Sequence, residues 1–523
     1  MTADNSLRRS GAIATPHRAA TDIGVEIYAG GGNAVDAAIA ASFALTVNYP
    51  HNTSIGGDLI ALIRTPDNRI HCINASGPSA AATDAEILRE KYGSKMPISG
   101  LETITVPGAV AGLEAIHRKA GRTRWEDLVH PAVKMANEGT VVTGSLGKAI
   151  AGNLSGIMQD EGMKSVFAPG GTPLEVGDHL MQPALARTLS RIASVGAGEM
   201  YKGEIGDALI RGLQKLGSLL AKEDLESYAC VDAPVLSFSY DQYEIHTSGL
   251  NTQGFLLPQV LGACNALPED RRDAGSLAIL WAQANRDRDR LLADPFHSST
   301  SEAEVLNEEY LQAMAHRALS REPIGVLDSF PQPKGDTVAV VAADKEGYAA
   351  CIIQSVFHPF GSLILEPETG ILLHNRGAFF SLDPSHANTI APAKRPGHTL
   401  MPVMVTENGN LRWVLGTMGG KAQPQVHYQV LSRLMAGSTP AEAASRPRWI
   451  IGGLGADHPE DALYCEEDIP DSDKAALIAA GFKLTLVEPR SEFLGHANIV
   501  SVGSDQSFTA TSDPRSDGTG MAV

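Results

Sequence analysis

The chain has 523 residues, of which 43% are apolar and 20% are charged, and it carries a formal net charge of -18. This composition is typical of a globular protein with a large buried interior and argues against disorder. The negative charge disfavours binding to nucleic-acid phosphates or to an anionic membrane surface, so a small molecule is the expected partner.

The first residues predict a cytoplasmic protein. Residues 1–29 contain arginines but lack the continuous apolar core of a secretion signal. The longest apolar run, residues 39–47, is too short to cross a bilayer and predicts a buried helix. The 5 cysteines are widely spaced and odd in number, which disfavours a disulfide framework and fits a reducing compartment.

The N-terminal region predicts a helix, a glycine break and a second helix. Residues 16–29 have helical apolar spacing, Gly30–Gly32 end that helix, and Asn33 stands at the N-cap of the next one. Because a helix precedes the glycines and no GxGxxG spacing follows, tight helix packing explains them better than a phosphate-binding loop. The runs 59–63 and 70–73 then predict a β-hairpin.

The middle of the chain is mainly helical from 107 to 330, with strand-like runs at 235–238 and 243–247. Pro331, Pro333 and Gly335 predict an exposed loop.

Beyond that loop the pattern becomes β-rich. The runs 338–343 and 348–355 predict a hairpin that is apolar on both faces and therefore covered on both sides. We predict further strands and one more helix at 402–406, 411–415, 499–502 and 508–511, and at 422–436. Such a chain predicts sheets packed between helical layers.

The tripeptide Gly335-Asp336-Thr337 lies where the loop enters a strand, and alone it predicts only a turn. It belongs, however, to a series of short motifs in a familiar order: Gly31-Gly32-Asn33-Ala34-Val35-Asp36-Ala37-Ala38, Gly56-Gly57, Thr105-Val106-Pro107-Gly108, Lys222-Glu223-Asp224-Leu225, Gly335-Asp336-Thr337, Gly370-Ile371-Leu372-Leu373, Lys394-Arg395-Pro396, Gly419-Gly420, Pro447-Arg448-Trp449 and Asp513-Pro514-Arg515-Ser516. Over nearly its whole length the chain thereby resembles the γ-glutamyltranspeptidases.

The resemblance implies an α/β (α+β) fold, a four-layer αββα sandwich of the N-terminal-nucleophile hydrolase type. It also implies a proenzyme that cuts itself between Asp336 and Thr337. The products would be a large subunit, 1–336, and a small subunit, 337–523, folded together as one αββα unit. A dimer of these heterodimers is left open.

The chemistry of Thr337 follows from such a cut. A threonine hydroxyl is a weak nucleophile that needs a nearby base. A new N-terminal α-amino group, with a reference pKa of roughly 7.7–8.0, can serve as that base. The resemblance further implies that Gly419 and Gly420 form the oxyanion hole and that Ser355 hydrogen-bonds the nucleophile.

The predicted substrate pocket departs from the family. Asn74 stands where the family has an arginine for the substrate α-carboxylate, Phe379 where it has an acid for the α-ammonium, and Phe357 where it has an asparagine. His398 and Thr399 replace two serines. A γ-glutamyl group should therefore bind poorly, because its ammonium would lack a partner.

Arg376 replaces a family glutamine and keeps a positive charge near the nucleophile, with His358 and His374 expected nearby. This pattern is similar to the transpeptidase-like branch that includes oxamate amidohydrolase. The leading hypothesis is an amidohydrolase acting on a small amide with an acidic group, with no cofactor. A true γ-glutamyltransferase or glutathione hydrolase is the alternative.

An inactive binding homologue is a further alternative, although it would be expected to lose Thr337 or the glycine pair. Metal-dependent hydrolysis is disfavoured because none of the 16 histidines lies in an HExxH or comparable spacing.

Overall fold

The structure is a computed structural model that describes residues 10–321, 336–452 and 462–523. The predicted loop at Pro331, Pro333 and Gly335 lies outside the described residues. Strands within the described ranges are β1 (Gly11–Thr15), β2 (Asp58–Arg64), β3 (Ile70–Ala75), β4 (Thr140–Val141), β5 (His179–Leu180), β6 (Val231–Ala233), β7 (Val235–Tyr240), β8 (Tyr243–Ser248), β9 (Asp336–Asp344), β10 (Ala349–Phe357), β11 (Leu365–Glu366), β12 (Ile371–Leu372), β13 (Val403–Glu407), β14 (Asn410–Thr417), β15 (Trp449–Ile451), β16 (Leu463–Glu466), β17 (Leu484–Val487), β18 (Ala497–Val502), β19 (Phe508–Ser512) and β20 (Thr519–Ala522).

Helices within the same ranges are α1 (Arg18–Ala29), α2 (Ala34–Asn48), α3 (Ala85–Tyr92), α4 (Ala109–Ala120), α5 (Trp125–Glu138), α6 (Gly144–Gly152), α7 (Leu154–Ile157), α8 (Glu161–Phe167), α9 (Pro183–Val195), α10 (Gly198–Lys202), α11 (Glu204–Leu216), α12 (Lys222–Glu226), α13 (Leu256–Asn265), α14 (Ala274–Leu291), α15 (Ala303–Leu306), α16 (Glu308–Ser320), α17 (Gln423–Met435), α18 (Pro440–Ser445) and α19 (Asp471–Ala479).

Two antiparallel sheets form the centre of the molecule. One has seven strands in the order β20-β1-β9-β10-β2-β3-β6, and the other has six in the order β19-β18-β14-β13-β8-β7. Strands from before and after residue 337 occur in both sheets. The predicted hairpins β2–β3 and β9–β10 are confirmed as neighbours in the first sheet.

Alternation along β9 explains the layering. Val338, Val340 and Ala342 pack into a core that also contains α2, α4, α5 and α9. The intervening Ala339 and Val341 point the other way and pack against Val414 of the second sheet. A strand buried on both faces lies inside a sandwich, as its continuous apolar run predicted.

The second sheet is covered in the same way on its outer face. Val403, Val405 and Leu415 join a core with α13, α14 and α17. The four layers are therefore helices, sheet, sheet and helices, and the αββα prediction is confirmed.

Other features of the sequence have their structural counterparts. Every residue of α2 is buried, as its apolar run predicted, and Asn33 forms the predicted N-cap. All 5 cysteines are free thiols. Within the described part of the chain, no helix combines the length and apolarity needed to span a bilayer.

Candidate active site

Thr337 lies near the start of β9, opposite an irregularity in β10. Val338 pairs with Gln354 and Asp336 pairs with Phe357, so the register shifts between these two pairs. Ser355 and Val356 thus stand opposite Thr337 alone, which is the pattern of a β-bulge. The bulge directs the Ser355 hydroxyl to the threonine, and the two Oγ atoms lie 3.4 Å apart.

The backbone beyond the bulge is strained. Phe357 has a φ of 80°, in a region that bulky side chains rarely adopt. Its N–H donates to Ser355 Oγ over 2.8 Å, which ties the strained residue to the hydroxyl beside Thr337. Such strain is common where a structure fixes functional groups.

Gly419 and Gly420 follow β14 and have φ angles of 137° and 53°. Met418, just before them, donates its N–H to His496 O over 2.8 Å. Within the described residues, the N–H groups of both glycines lack a hydrogen-bond acceptor. Two unpaired backbone donors in succession are the arrangement that an oxyanion hole requires.

Gln253 joins the glycine turn to the predicted substrate pocket. Its Nε2 donates to Gly420 O over 2.8 Å and to Thr399 O over 2.7 Å. Thr399 Oγ1 in turn accepts from Arg376 Nη1 over 3.3 Å. A continuous set of contacts therefore runs from the glycine pair to Arg376.

Arg376 is fully buried and packs against Phe357, the residue that is hydrogen-bonded to Ser355 beside Thr337. Its guanidinium carbon lies 3.9 Å from the centre of the Phe357 ring, a cation–π contact. The Phe357 ring also meets Phe379 edge-on, with centroids 5.9 Å apart, and stacks on His358 at 4.0 Å. Phe357, Phe379 and His358 thus form an aromatic wall, in which Phe357 contacts the cation directly.

The carboxylate of Asp58, at the start of β2, lies next to the Arg376 guanidinium. Asp58 Oδ2 lies 3.6 Å from Arg376 Nε, 3.1 Å from His374 Nδ1 and 3.0 Å from His398 Nε2. Burial opposes the charge of Asp58, but the two histidines outweigh it and hold the pKa of the carboxyl well below its usual range. Asp58 is therefore an anion at neutral pH.

Burial lowers the pKa values of the basic side chains Arg376, His358 and His398. It reduces the pKa of Arg376 to about 9, against the opposing effect of Asp58, so the guanidinium stays charged at neutral pH. Burial and the nearby Arg376 lower the pKa of His358 to about 3 and that of His398 to about 4. Both of these imidazoles are neutral at pH 7.

Arg376 keeps unused hydrogen-bonding capacity. Its Nη2 is buried and has no hydrogen-bond acceptor among the described residues. A buried guanidinium N–H without an acceptor is costly unless a ligand completes it. An anionic ligand group is the natural acceptor.

Asn74 occupies a neighbouring position rather than this cluster. On β3, its Nδ2 donates to Asn251 Oδ1 over 2.8 Å and its Oδ1 accepts from the Ser76 N–H over 3.0 Å. Asn251 O accepts the N–H of His398 over 2.7 Å, so Asn74 is connected to the cluster through Asn251.

Sequence reasoning missed Asp58 and Gln253. Asp58 follows a glycine pair at the start of an apolar strand, and Gln253 lies in a short helical turn, so neither has a local pattern that indicates chemistry. A charged residue opening a strand that is otherwise buried was the available signal, because such a charge needs a partner.

Comparison with known proteins gives a consistent result. A family model described as gamma-glutamyltranspeptidase matches residues 20–523. The glutathione hydrolase-like YwrD proenzyme of Bacillus subtilis is 31% identical over 98% of both chains. The oxamate amidohydrolase proenzyme of Klebsiella pneumoniae is 32% identical over 97% of both chains. The solved cephalosporin acylase of Bacillus halodurans is 29% identical, with a TM-score of 0.88 over 99% of this chain and 96% of that one.

Proposed function

Since the chain belongs to the γ-glutamyltranspeptidase family and is thus an autocatalytically cleaved enzyme of the amidohydrolase and transferase type, we propose that it hydrolyses a small amide carrying an acidic group. Thr337 is the proposed nucleophile and Arg376 the proposed acid-binding residue. The observation that carries the proposal is the buried Arg376 Nη2 without an acceptor, linked by contacts to Thr337.

Cleavage of the Asp336–Thr337 bond would complete the nucleophile. The free α-amino group accepts the Thr337 hydroxyl proton while Oγ1 attacks the amide carbonyl carbon. Negative charge then develops on the carbonyl oxygen, and the unpaired N–H groups of Gly419 and Gly420 are suited to bind it. The amine leaves with the proton, and an acyl ester remains on Thr337.

Water resolves this ester by the same steps in reverse. The α-amino group takes a proton from water, the hydroxide attacks the ester carbonyl, and the proton returns to Thr337 Oγ1 as the acid is released. Ser355 Oγ, 3.4 Å from Thr337 Oγ1, orients the hydroxyl in both stages.

The aromatic wall supports a substrate without an α-ammonium group. The Phe357 and Phe379 rings pack edge-on against each other at the positions where the family has an asparagine and an acid. The carboxylate of this cluster, Asp58, already lies against Arg376, His374 and His398, so a desolvated ammonium beside the two rings would have no carboxylate of its own. Oxamate, named in one relative, has a carboxylate directly attached to the amide carbonyl. The single carboxylate of such a short acid could accept a hydrogen bond from the buried Arg376 Nη2.

Glutathione hydrolysis is the second candidate, favoured by the name of the Bacillus subtilis relative. It would require other side chains to hold the glutamyl head. An inactive binding homologue is a weaker candidate, because the threonine, the hydroxyl beside it and the unpaired glycine N–H groups are all present. The dimer of heterodimers and the cytoplasmic location stay predictions.

The test is the Arg376→Gln variant, assayed on processed enzyme with oxamate and with its neutral isostere oxamide. Losing a charge-assisted contact in a buried site should cost about 2–5 kcal/mol, or roughly thirty-fold to several thousand-fold in kcat/KM for oxamate. Oxamide should lose much less, and self-cleavage should persist.

The matched control is Arg64→Gln, at the far end of β2, where the arginine hydrogen-bonds Gly347 O over 2.9 Å. It should affect both amides equally. Equal losses in Arg376→Gln would make that arginine structural and remove the acidic-substrate proposal. Efficient turnover of γ-glutamyl-p-nitroanilide but not of oxamate would favour the second candidate.

A further inference from the structure

Three polar side chains lie side by side on neighbouring strands of the first sheet. Asp58 of β2 pairs directly with Ser355 of β10, so the two side chains project from the same face. Ser355 Oγ lies 3.4 Å from Thr337 Oγ1 on β9. That face is directed at the second sheet, because Ile60 and Ile353, two residues away along each strand, pack there. Neighbouring strands are about 4.8 Å apart, so Asp58 lies roughly 10 Å from the nucleophile in backbone distance.

The two carboxylate oxygens of Asp58 have unequal surroundings. Oδ2 faces Arg376 Nε, His374 Nδ1 and His398 Nε2, at 3.6, 3.1 and 3.0 Å. Oδ1 is also buried, but it has no hydrogen-bond donor within the part of the chain that the structure describes. A buried carboxylate oxygen without a donor is costly, so a ligand group with an N–H or O–H would complete it.

Arg376 has the complementary feature. Its Nε is 3.6 Å from Asp58 Oδ2, longer than a direct hydrogen bond, and its Nη2 is buried without an acceptor in the described ranges. The ion pair thus leaves one acceptor, Asp58 Oδ1, and one donor, Arg376 Nη2, for a ligand with both kinds of group. Since Arg376 already supplies the balancing cation, a neutral N–H suits Oδ1 better than a second cation would.

We propose that Asp58 is a substrate-binding residue whose Oδ1 accepts the N–H of the amide that is cleaved, while Arg376 Nη2 donates to the carboxylate beside it. The inference rests on the proposed function, in which Arg376 binds the acid. In oxamate the N–H and one carboxylate oxygen lie on the same edge of the molecule, so a donor stands next to an acceptor. The substrate class is thereby narrowed to amides that carry the carboxylate on the carbonyl carbon and keep at least one N–H.

The same contact acts during the reaction. As the C–N bond breaks, the leaving nitrogen takes the proton held by the Thr337 α-amino group and gains positive charge. A carboxylate oxygen that is hydrogen-bonded to this nitrogen stabilises that charge more in the transition state than in the bound substrate, which lowers the barrier. An ester leaves as an alcohol without an N–H and gains nothing from Asp58.

The kinetic test compares oxamate with monomethyl oxalate, which has the same acyl group and carboxylate but a methoxy leaving group. Both form the same acyl ester on Thr337, so kcat/KM compares their acylation steps. In Asp58→Asn, the side-chain oxygen should stay toward His398 Nε2 and the NH2 group should replace Oδ1, where it repels the substrate N–H. The oxamate/ester ratio of kcat/KM should fall by about ten- to hundredfold.

Thr399→Val is the matched control. It removes the hydroxyl that accepts from Arg376 Nη1 over 3.3 Å and leaves Asp58 unchanged. It should change both rates alike and keep the oxamate/ester ratio. If Asp58→Asn lowers both substrates equally, Asp58 only positions Arg376 and the inference is overturned, whereas the proposed function stands.

A second measurement uses wild-type enzyme alone. A trans secondary amide keeps its N–H on the side of the acyl substituent, so N-methyloxamate retains the N–H beside the carboxylate. N,N-dimethyloxamate has a methyl group there and should lose about a hundredfold or more in kcat/KM relative to N-methyloxamate. Comparable rates for these two amides would overturn the inference. Turnover of neither oxamate nor its ester would contradict the proposed function, and the inference would fall with it.

Discussion

Gly419 and Gly420 contribute to the candidate site through their backbone. Their φ angles of 137° and 53° turn the chain after β14 and leave two N–H groups without an acceptor in the described residues. A side chain at position 420 would strain the turn and obstruct the approach of a ligand oxygen. Losing one oxyanion donor typically costs about 2.7–4 kcal/mol of barrier.

Gly420→Val should therefore lower kcat by about two orders of magnitude or more while the chain still folds. The measurement is steady-state kinetics on oxamate, with circular dichroism to check the fold. Gly437→Val is the control, because Gly437 has a φ of 89° on an exposed turn with open space around it. If the two variants lose activity equally, backbone strain explains the loss and the oxyanion hole lies elsewhere.

The candidate site was only partly predictable from the sequence. Thr337 and the glycine pair could be named as candidates because they lie in short motifs with a recognisable order, and Ser355 because the resemblance implies a hydroxyl residue there. The cluster on Asp58 could not, because its members at 58, 374, 376 and 398 are distant in sequence and meet only through the packing of β2 against later segments. The sequence predicted that Arg376 would be close to the nucleophile but not that a carboxylate would balance its charge.

At the level of elements, one side chain at the start of α2 hydrogen-bonds to two separate segments of the chain. Asn33 and Asp36 form a capping box, with Asp36 Oδ2 accepting the Asn33 N–H over 3.0 Å. Asp36 also accepts the N–H groups of Arg122 and Thr123 over 3.0 and 3.2 Å. One buried carboxylate thus joins α2 to the segment between α4 and α5.

Asp36→Ala should destabilise the protein by about 3 kcal/mol or more, because three backbone N–H groups lose their acceptor. Urea unfolding followed by fluorescence would measure this loss. Asp84→Ala is the control: it removes an exposed N-cap from the short helix α3 and should cost about 1 kcal/mol. Equal costs would mean that the contacts to Arg122 and Thr123 contribute nothing.

Apolar runs predicted the central strands β2, β3, β9, β10, β13 and β14 but not their irregularities. The β10 run is apolar on both faces, so its pattern does not mark where the register shifts beside Thr337. The three-stranded sheet of β15, β16 and β17 also escaped prediction. Its strands are 3 or 4 residues long, which is too short to establish a period of two.

For the molecule as a whole, the predicted cut at Thr337 divides both sheets. In the seven-stranded sheet, β9 and β10 pair with β1 and β2 from the other side of the cut. In the six-stranded sheet, β13 pairs with β8. The two fragments would therefore share one core and should separate only in denaturant, and the division into 1–336 and 337–523 stays a prediction.

The most direct measurement for the central claim is N-terminal sequencing of the purified protein, run beside Thr337→Ala. We predict two fragments, a new N-terminus at Thr337 in every active preparation, and a single uncut, inactive chain in the variant. Active enzyme without a Thr337 N-terminus, or an uncut Thr337→Ala chain that hydrolyses amides at the wild-type rate, would contradict the assignment of Thr337 as the nucleophile.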